Sequence, residues 1–286
     1  MIRIENRKIS FLFVLAVYIL AAAVGIFTYR TVIHLPLFAA LLIADVAATV
    51  AVFLFSLLFG NASVYDPYWS VQPPVILLAL MLAGRAFSAA DILLFATVTL
   101  WAVRLTANWA YTFRGLTHED WRYRMLKGKS GAIYPVVNFL GIHLFPTLVV
   151  YACILPAAYT LRDGESGGVL FAVGLVISLL ATALQLVADT EMQAFRRRGE
   201  GGFIRVGLWR YARHPNYLGE ILMWWGVALA SLSRLPVAYF PLVLGALANT
   251  LMFLFISIPM ADRRQAEKEG YNEYKSETRS LFPLPR

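Results

Sequence analysis

Long apolar runs separated by short polar or basic connections dominate the chain. They cover residues of about 9–28, 36–60, 71–84, 90–113, 133–160, 167–188, 217–233 and 236–260, each closed by a turn signal or a charge. A bilayer core of roughly 30 Å is crossed by about 20 apolar residues as a helix, and a helix satisfies its own backbone in hydrocarbon. The pattern predicts an all-α polytopic membrane bundle of about eight transmembrane helices, or seven if the short 71–84 run does not cross. The first run follows Arg3, Arg7 and Lys8 as a signal peptide would, but it is too long for a signal core and reads as a retained helix.

Composition agrees: 59% of residues are hydrophobic and the mean hydropathy is +0.65, which excludes an ordinary soluble domain. The net charge of +8 would suggest nucleic acid in a soluble protein, so its distribution matters. Lys and Arg number three in the N-terminal tail, five in 112–134, six in 189–216 and six after 260. The other connections hold only Arg30, Arg85, Arg162 and Arg234. With eight alternating helices all four basic segments share one side, and the positive-inside rule makes that side cytoplasmic, both termini included. No nucleic-acid partner is needed. The single Cys153 offers neither a disulfide framework nor a thiolate metal site, and no metal is expected. No internal repeat or soluble domain interrupts the single membrane domain, 1–286.

Three polar clusters line the predicted cytoplasmic helix ends. In the sixth run, Gln185, Asp189, Gln193 and Arg196 with Arg197 recur at intervals of four, four, and three or four, which puts amide, carboxylate and guanidinium on one face. That face could grip a ribose and a phosphate; Arg196, Arg197 and Arg198 could equally anchor the helix end among lipid headgroups. Asp189 is costly at the membrane edge without a partner or a task. The second cluster is Tyr211-Ala-Arg-His-Pro-Asn-Tyr-Leu-Gly-Glu220. Pro215 suits the first turn of a helix, whose exposed amides favour a phosphate beside Arg213 and His214. Asn216, Tyr217 and Glu220 follow within a turn and a half. Alternatively, His-Pro-Asn is capping chemistry, Tyr217 an interface aromatic and Glu220 a dipole partner. The third cluster couples Asn61–Trp69, which lacks any Lys or Arg, to Arg104, Asn108 and Tyr111 at i, i+4 and i+7 of the fourth run. An intramembrane arginine is functional or charge-paired by default. Asp66-Pro67 could be an N-cap and N1 pair. Asp45, Asn138, His143 and Asn249 read as interhelical hydrogen-bonding groups.

These residues carry a family resemblance. Arg213 to Glu220, the preceding Gly207-Leu208-Trp209, and the tail Tyr271-Asn272-Glu273-Tyr274 ending in Phe282-Pro283-Leu284-Pro285 resemble the steroid 5-alpha-reductase C-terminal family. Asn61–Trp69 and Glu119-Asp120-Trp121-Arg122-Tyr123 are similar to its bacterial branch, and the resemblance covers roughly residues 40–286. It implies a helical membrane enzyme that binds NADPH between cytoplasmic loops and helices and reduces a carbon-carbon double bond, typically conjugated to a ketone, in a steroid- or sterol-like lipid. The expected organisation is an additional N-terminal helix in 1–35 and a reductase-like bundle in 36–286, with a cofactor-binding half in 180–286. The expected setting is a monomer in a bacterial inner membrane.

Position by position, Asp189, Arg196, Asn216, Tyr217 and Glu220 match positions that hold the cofactor in this family. Gln185, Gln193, Arg197, Trp209, Arg213, His214 and Tyr274 complete the expected NADPH set. Animal members place a Gln-Glu pair before the substrate cavity where this chain has Tyr65-Asp66, and Arg104 stands near their catalytic tyrosine. Candidates for stabilising the developing oxyanion are therefore Asp66, Tyr65, Tyr68 and Arg104, with Trp69, Asn108 and Tyr111 against the substrate. Two rivals stand beside this reading. Isoprenylcysteine carboxyl methyltransferases share a similar Arg-His-Pro-x-Tyr turn and bind S-adenosylmethionine, although three clustered arginines suit a phosphate-rich cofactor better. A non-enzymatic lipid-binding or transport protein is the other.

Overall fold

Each apolar run is a helix in the computed structural model, which describes residues 4–199 and 201–284. Arg3, Arg286 and Pro285, counted above in the tails and the closing motif, lie outside those residues. In chain order the helices are α1 (Arg7–Thr31), α2 (Leu37–Phe59), α3 (Tyr68–Gly84), α4 (Ala89–Thr112), α5 (Trp121–Ser130), α6 (Tyr134–Val137) and α7 (Phe145–Asp163). Then come α8 (Val169–Arg198), α9 (Pro215–Leu232), α10 (Leu244–Met252), α11 (Ile258–Gln265) and α12 (Tyr271–Glu277). A π-helical segment, Asn138–Leu144, joins α6 to α7, and another, Phe253–Ser257, joins α10 to α11.

Among the described residues, seven helical spans are long and apolar enough to cross a membrane. The third run is one of them: a 3₁₀ turn, Ala62–Tyr65, continues it back to 62, giving 23 residues rather than the short stretch read from hydropathy. The eighth helix, α9, has 18 residues and falls outside the seven; its first two turns hold Asn216, Tyr217 and Glu220. The chain is thus an all-α, polytopic, integral membrane bundle. Large apolar side chains such as Leu12, Phe27, Leu180 and Phe255 stay exposed on its flanks, as a lipid-facing surface requires.

Local chemistry starts the helices where expected in several places. Asn6 caps α1 through Lys8 and Ile9, Ser88 and Asp91 form a capping box on α4, and Pro215 opens α9 at N1. Asp66 differs: α3 has no side-chain cap, and Asn61 instead accepts from the Ser63 amide to cap the 3₁₀ turn.

The tightest helix pair is α8 with α9. A Cβ on Gly226 would come within 2.6 Å of the Gly174 carbonyl, and one on Gly219 within 2.7 Å of the Ala181 carbonyl. Only hydrogen fits there, so Gly219 serves a helix approach, and the two polar helix ends are held side by side.

All four basic segments meet at one end of the bundle. Arg7 donates to the Ala110 carbonyl (3.0 Å), Arg264 lies over the Trp121 ring (4.2 Å), and Arg213 pairs with Asp262 (3.4 Å). At the other end Arg234 donates to Asp91 (2.9 Å) and to the Glu165 carbonyl (2.7 Å), tying α4, the α7–α8 connection and α9 together.

Candidate active site

Three polar stripes converge at the basic end. α4 contributes Trp101, Arg104 and Asn108; α8 contributes Gln185, Asp189 and Gln193; α9 contributes Asn216, Glu220 and Trp224. Each set recurs at three or four residues, so each lies along one helical face. Arg104 Nη1 donates to Asp189 Oδ2 at 2.7 Å, its Nη2 donates to Gln185 Oε1, and the same nitrogen lies 3.9 Å from Glu220 Oε2. Glu220 also accepts from two indoles, Trp101 Nε1 at 2.9 Å and Trp224 Nε1 at 3.1 Å. Gln193 donates to Asn108, and Asn216 stands beside Asp189.

One guanidinium thus faces two carboxylates, and Glu220 is only 4% exposed. The cluster still carries three buried polar atoms without partners: Arg104 Nε, Gln185 Nε2 and Asn216 Oδ1. Buried polar groups are almost always paired, so three orphans on three adjoining helices describe a surface shaped for a polar ligand.

A cationic rim adjoins this floor. Arg196 and Arg197 are exposed on the last turns of α8. Arg196 stands within electrostatic reach of Asp189, Arg264, Arg114 and Asp120. Burial raises the Asp120 carboxyl, but Arg122, which donates to it at 2.8 Å, outweighs this and holds it below its ordinary value. Lys268 is lowered by burial and by the neighbouring Arg264 and Arg196 cations, and it donates to the Gly202 carbonyl at 2.6 Å. Cations gathered around a partly buried lysine mark a place prepared for anionic charge.

The residues expected around the start of α9 instead bind that start to the tail. Arg213 reaches Asp262 and donates to the carbonyls of Thr278 (2.7 Å) and Lys275 (3.1 Å). His214 lies 2.9 Å from Asp262 Oδ1, which also accepts from Tyr271 at 2.6 Å. Tyr274 donates to the Trp209 carbonyl, and Trp209 donates to the Ala188 carbonyl at 3.0 Å. Tyr217 stacks on His214, with ring centroids 5.2 Å apart. Burial raises the Tyr274 phenol to about 12. The first turn of α9 has no side-chain cap; Pro215 has no amide hydrogen and the Tyr217 and Leu218 amides donate to the His214 carbonyl, which leaves the Asn216 amide for an anion.

The four oxyanion candidates do not share one space. Arg104 lies in the floor. Asp66 accepts from Tyr123 on α5 at 2.6 Å, Tyr65 is 2.8 Å from Thr147 on α7, and Tyr68 donates to Asp45 on α2 at 2.8 Å. Trp69 packs edge-on against Trp101, 6.4 Å between centroids, and so abuts the floor through the indole that binds Glu220. Asn108 contacts Gln193, whereas Tyr111 is 53% exposed on the flank of α4. Asn138 donates to Ser56 (3.2 Å), His143 bonds within its π-helical segment to the Asn138 carbonyl (3.0 Å), and Asn249 is buried on α10.

Sequence reading missed Trp101, Trp224, Asp262 and the rim cations Arg114, Arg122, Arg264 and Lys268. Trp101 precedes Arg104 by three residues and Trp224 follows Glu220 by four, a spacing that marks them as neighbours of those charges. Nothing local marks Asp262 as the partner of residues almost 50 positions earlier.

Over residues 52–278 the chain matches a family model described as "Protein of unknown function (DUF1295)". The chain belongs to that family. It is also similar to an uncharacterized protein of Schizosaccharomyces pombe, 26% identical over 57% of this chain and 56% of the relative. Human 3-oxo-5-alpha-steroid 4-dehydrogenase 2 is 32% identical over 44% of this chain and 51% of the enzyme, and the tomato (Solanum lycopersicum) steroid 5-alpha-reductase DET2 is 41% identical over 24% and 28%. The matches therefore span about half the length of the first two relatives and about a quarter of the third. The resemblance to steroid 5-alpha-reductases read from the motifs stands. No solved structure matches the chain significantly.

Proposed function

We propose that this chain binds NADPH across the α4–α8–α9 floor and its cationic rim and reduces a carbon-carbon double bond conjugated to a ketone in a steroid- or sterol-like lipid, on the cytoplasmic face of a membrane. The observation that carries the proposal is the pairing of three orphaned polar atoms, Arg104 Nε, Gln185 Nε2 and Asn216 Oδ1, with an adjoining cationic rim. That polar set fits a dinucleotide: amide and ribose groups match the floor, and phosphates match Arg196, Arg197 and the Asn216 amide at the α9 start. The printed names of the similar enzymes, steroid reductases, support the same chemistry.

NADPH, when bound, supplies the hydride. Asp189 and Gln185 fix the Arg104 guanidinium, and Glu220, itself fixed by two indoles, limits where it can turn. Of the four oxyanion candidates Arg104 is the one in contact with the floor, so we assign it the charge that develops on the ketone oxygen, with Trp69 and Trp101 walling the apolar side. Arg213, His214, Trp209 and Tyr274 act one step back, by holding the α9 start in place. The 1–35 helix lies outside the matched stretch, and the cofactor-binding half is 180–286 together with α4.

The test is an NADPH-oxidation assay on the purified full chain with a 3-oxo-4-ene steroid. The expected product carries two added hydrogens at the double bond. Methyl transfer from S-adenosylmethionine, or no turnover of any enone lipid together with no NADPH binding, overturns the proposal.

A further inference from the structure

A cavity of about 490 Å³ lies on the other side of α3 from this floor. α1 packs on α2, and α3 packs on α4 and α7, so α1, α2 and α3 part to leave a space. Small side chains keep it open: Ala21 and Gly25 on α1, Ala44 and Ala48 on α2, Ala79 on α3. Its walls on α3 are Tyr68, Val71, Gln72, Val75 and Ala79, one helical face. Ser70, Leu77 and Met81 take the opposite face, where Ser70 is 2.9 Å from Thr106 of α4 and Leu77 and Met81 pack with Trp101. α3 therefore lies between the cavity and the floor.

The cavity is apolar along its middle, with Tyr29 and Arg30 at the C-terminal end of α1 and a hydrogen-bonded polar cluster at the other end. There Tyr68 donates to Asp45 Oδ1 (2.8 Å) and Gln72 Nε2 donates to Asp45 Oδ2 (2.6 Å). Tyr18 donates to the Val64 carbonyl at 2.9 Å. Gln72 is 6% exposed, lines the cavity, and keeps its Oε1 without a partner. From Gln72 to Ala83, at the far end of the lining, α3 rises roughly 16 Å.

Those contacts select the ligand. A plain hydrocarbon would leave Gln72 Oε1 unpaired. At the Gln72 end, away from Arg30, a carboxylate or phosphate would meet Asp45. A ketone would find both hydroxyl donors, Tyr18 and Tyr68, already engaged. A hydroxyl fits, because it donates to the orphaned oxygen. We propose that this cavity binds a membrane lipid alcohol, its hydroxyl on Gln72 Oε1 and its hydrocarbon along the alanine and glycine wall between α1 and α3.

The site is tested by photolabelling the purified full chain in detergent, without NADPH, using a diazirine-bearing sterol and diazirine-bearing hexadecanol, each beside its O-methyl ether. Labelled peptides should map to 21–33 of α1 or 71–83 of α3, with the ethers labelling about fivefold less, the ratio for one neutral hydrogen bond of about 1 kcal/mol. Whichever alcohol labels more strongly identifies the skeleton the cavity prefers, and either supports the site. Gln72→Leu should bring the alcohol down to the ether's level. Ala79→Trp, which fills the space and leaves Asp45 and Gln72 intact, should abolish labelling of these peptides while the helical circular dichroism spectrum is retained. Equal labelling by alcohol and ether, or labelling that survives Ala79→Trp in the folded protein, overturns the proposal.

Discussion

Each end of the bundle buries an arginine, and the two are held differently. Arg234 meets one carboxylate, Asp91, which is itself closed into the α4 capping box through Ser88, plus one backbone carbonyl. Arg104 meets two carboxylates and an amide, and the orphaned atoms of Gln185 and Asn216 stand beside it. The first is a one-to-one pair that clamps helix ends and leaves a single orphan, Arg234 Nη1. The second sets two carboxylates against one cation, and three orphaned atoms on three adjoining helices lie beside a cationic rim. A buried ion pair by itself says little about function; what marks a site is the polar capacity left over once the internal pairs are counted.

The comparison can be broken most strongly at the clamp. Arg234→Met leaves Asp91 buried without its cation, and removing one partner of a buried pair costs about 3–5 kcal/mol. Thermal unfolding in detergent should show a large fall in Tm, while NADPH affinity of the folded fraction stays at the parental level. A fall in affinity with Tm unchanged would mean that the two ends have been assigned the wrong way round.

Next in size is Glu220→Gln, which preserves shape but removes the charge facing Arg104 and alters what the two indoles can donate to. Enone reduction should drop by about 10²- to 10³-fold, roughly 2.7–4 kcal/mol, the usual scale for a lost electrostatic contact in an active site. Steady-state kinetics beside a melting curve separate this loss from simple unfolding. Parental turnover would remove Glu220 from the site.

At the rim the effect is smaller and depends on salt. Arg196→Ala and Arg197→Ala should each weaken NADPH binding by about 1.5–3 kcal/mol where a charge-assisted hydrogen bond to phosphate is lost. The loss should shrink as ionic strength rises. If both arginines only anchor the helix end in headgroups, titration in detergent will find the double variant binding like the parent.

Asp66→Asn is expected to do least. Asparagine keeps an acceptor for the Tyr123 hydroxyl, so turnover should stay within about tenfold of the parent, under 1.4 kcal/mol. A loss of a hundredfold or more would return the oxyanion role to Asp66 and take it from Arg104.

Much of this was legible in the chain because membrane helices are written locally. Each of the eight apolar runs became helical, two of them as several joined pieces, and the four-residue spacing of Gln185, Asp189 and Gln193 did place them on one face of α8. The spacing of Arg104 and Asn108 likewise put both beside that face. What escaped depends on pairs distant in sequence. Asp262 draws in Arg213 and His214 from 49 and 48 positions away, so residues that look poised for a phosphate are engaged by the tail. Tyr123 draws in Asp66 from 57 positions away. The short third run was underestimated because the 3₁₀ turn before Asp66 and Pro67 carries polar residues that are buried against neighbouring segments rather than exposed.

The central claim is that the floor between α4, α8 and α9 holds a phosphate-bearing dinucleotide, and native mass spectrometry of the full chain purified in detergent addresses it without any assumption about the lipid. The parent should retain or take up NADPH in preference to NADH and S-adenosylmethionine, and a chain carrying Gln185→Ala with Asn216→Ala, folded by circular dichroism, should lose it. Retention of S-adenosylmethionine by the parent, or NADPH held equally well after both substitutions, would contradict the account.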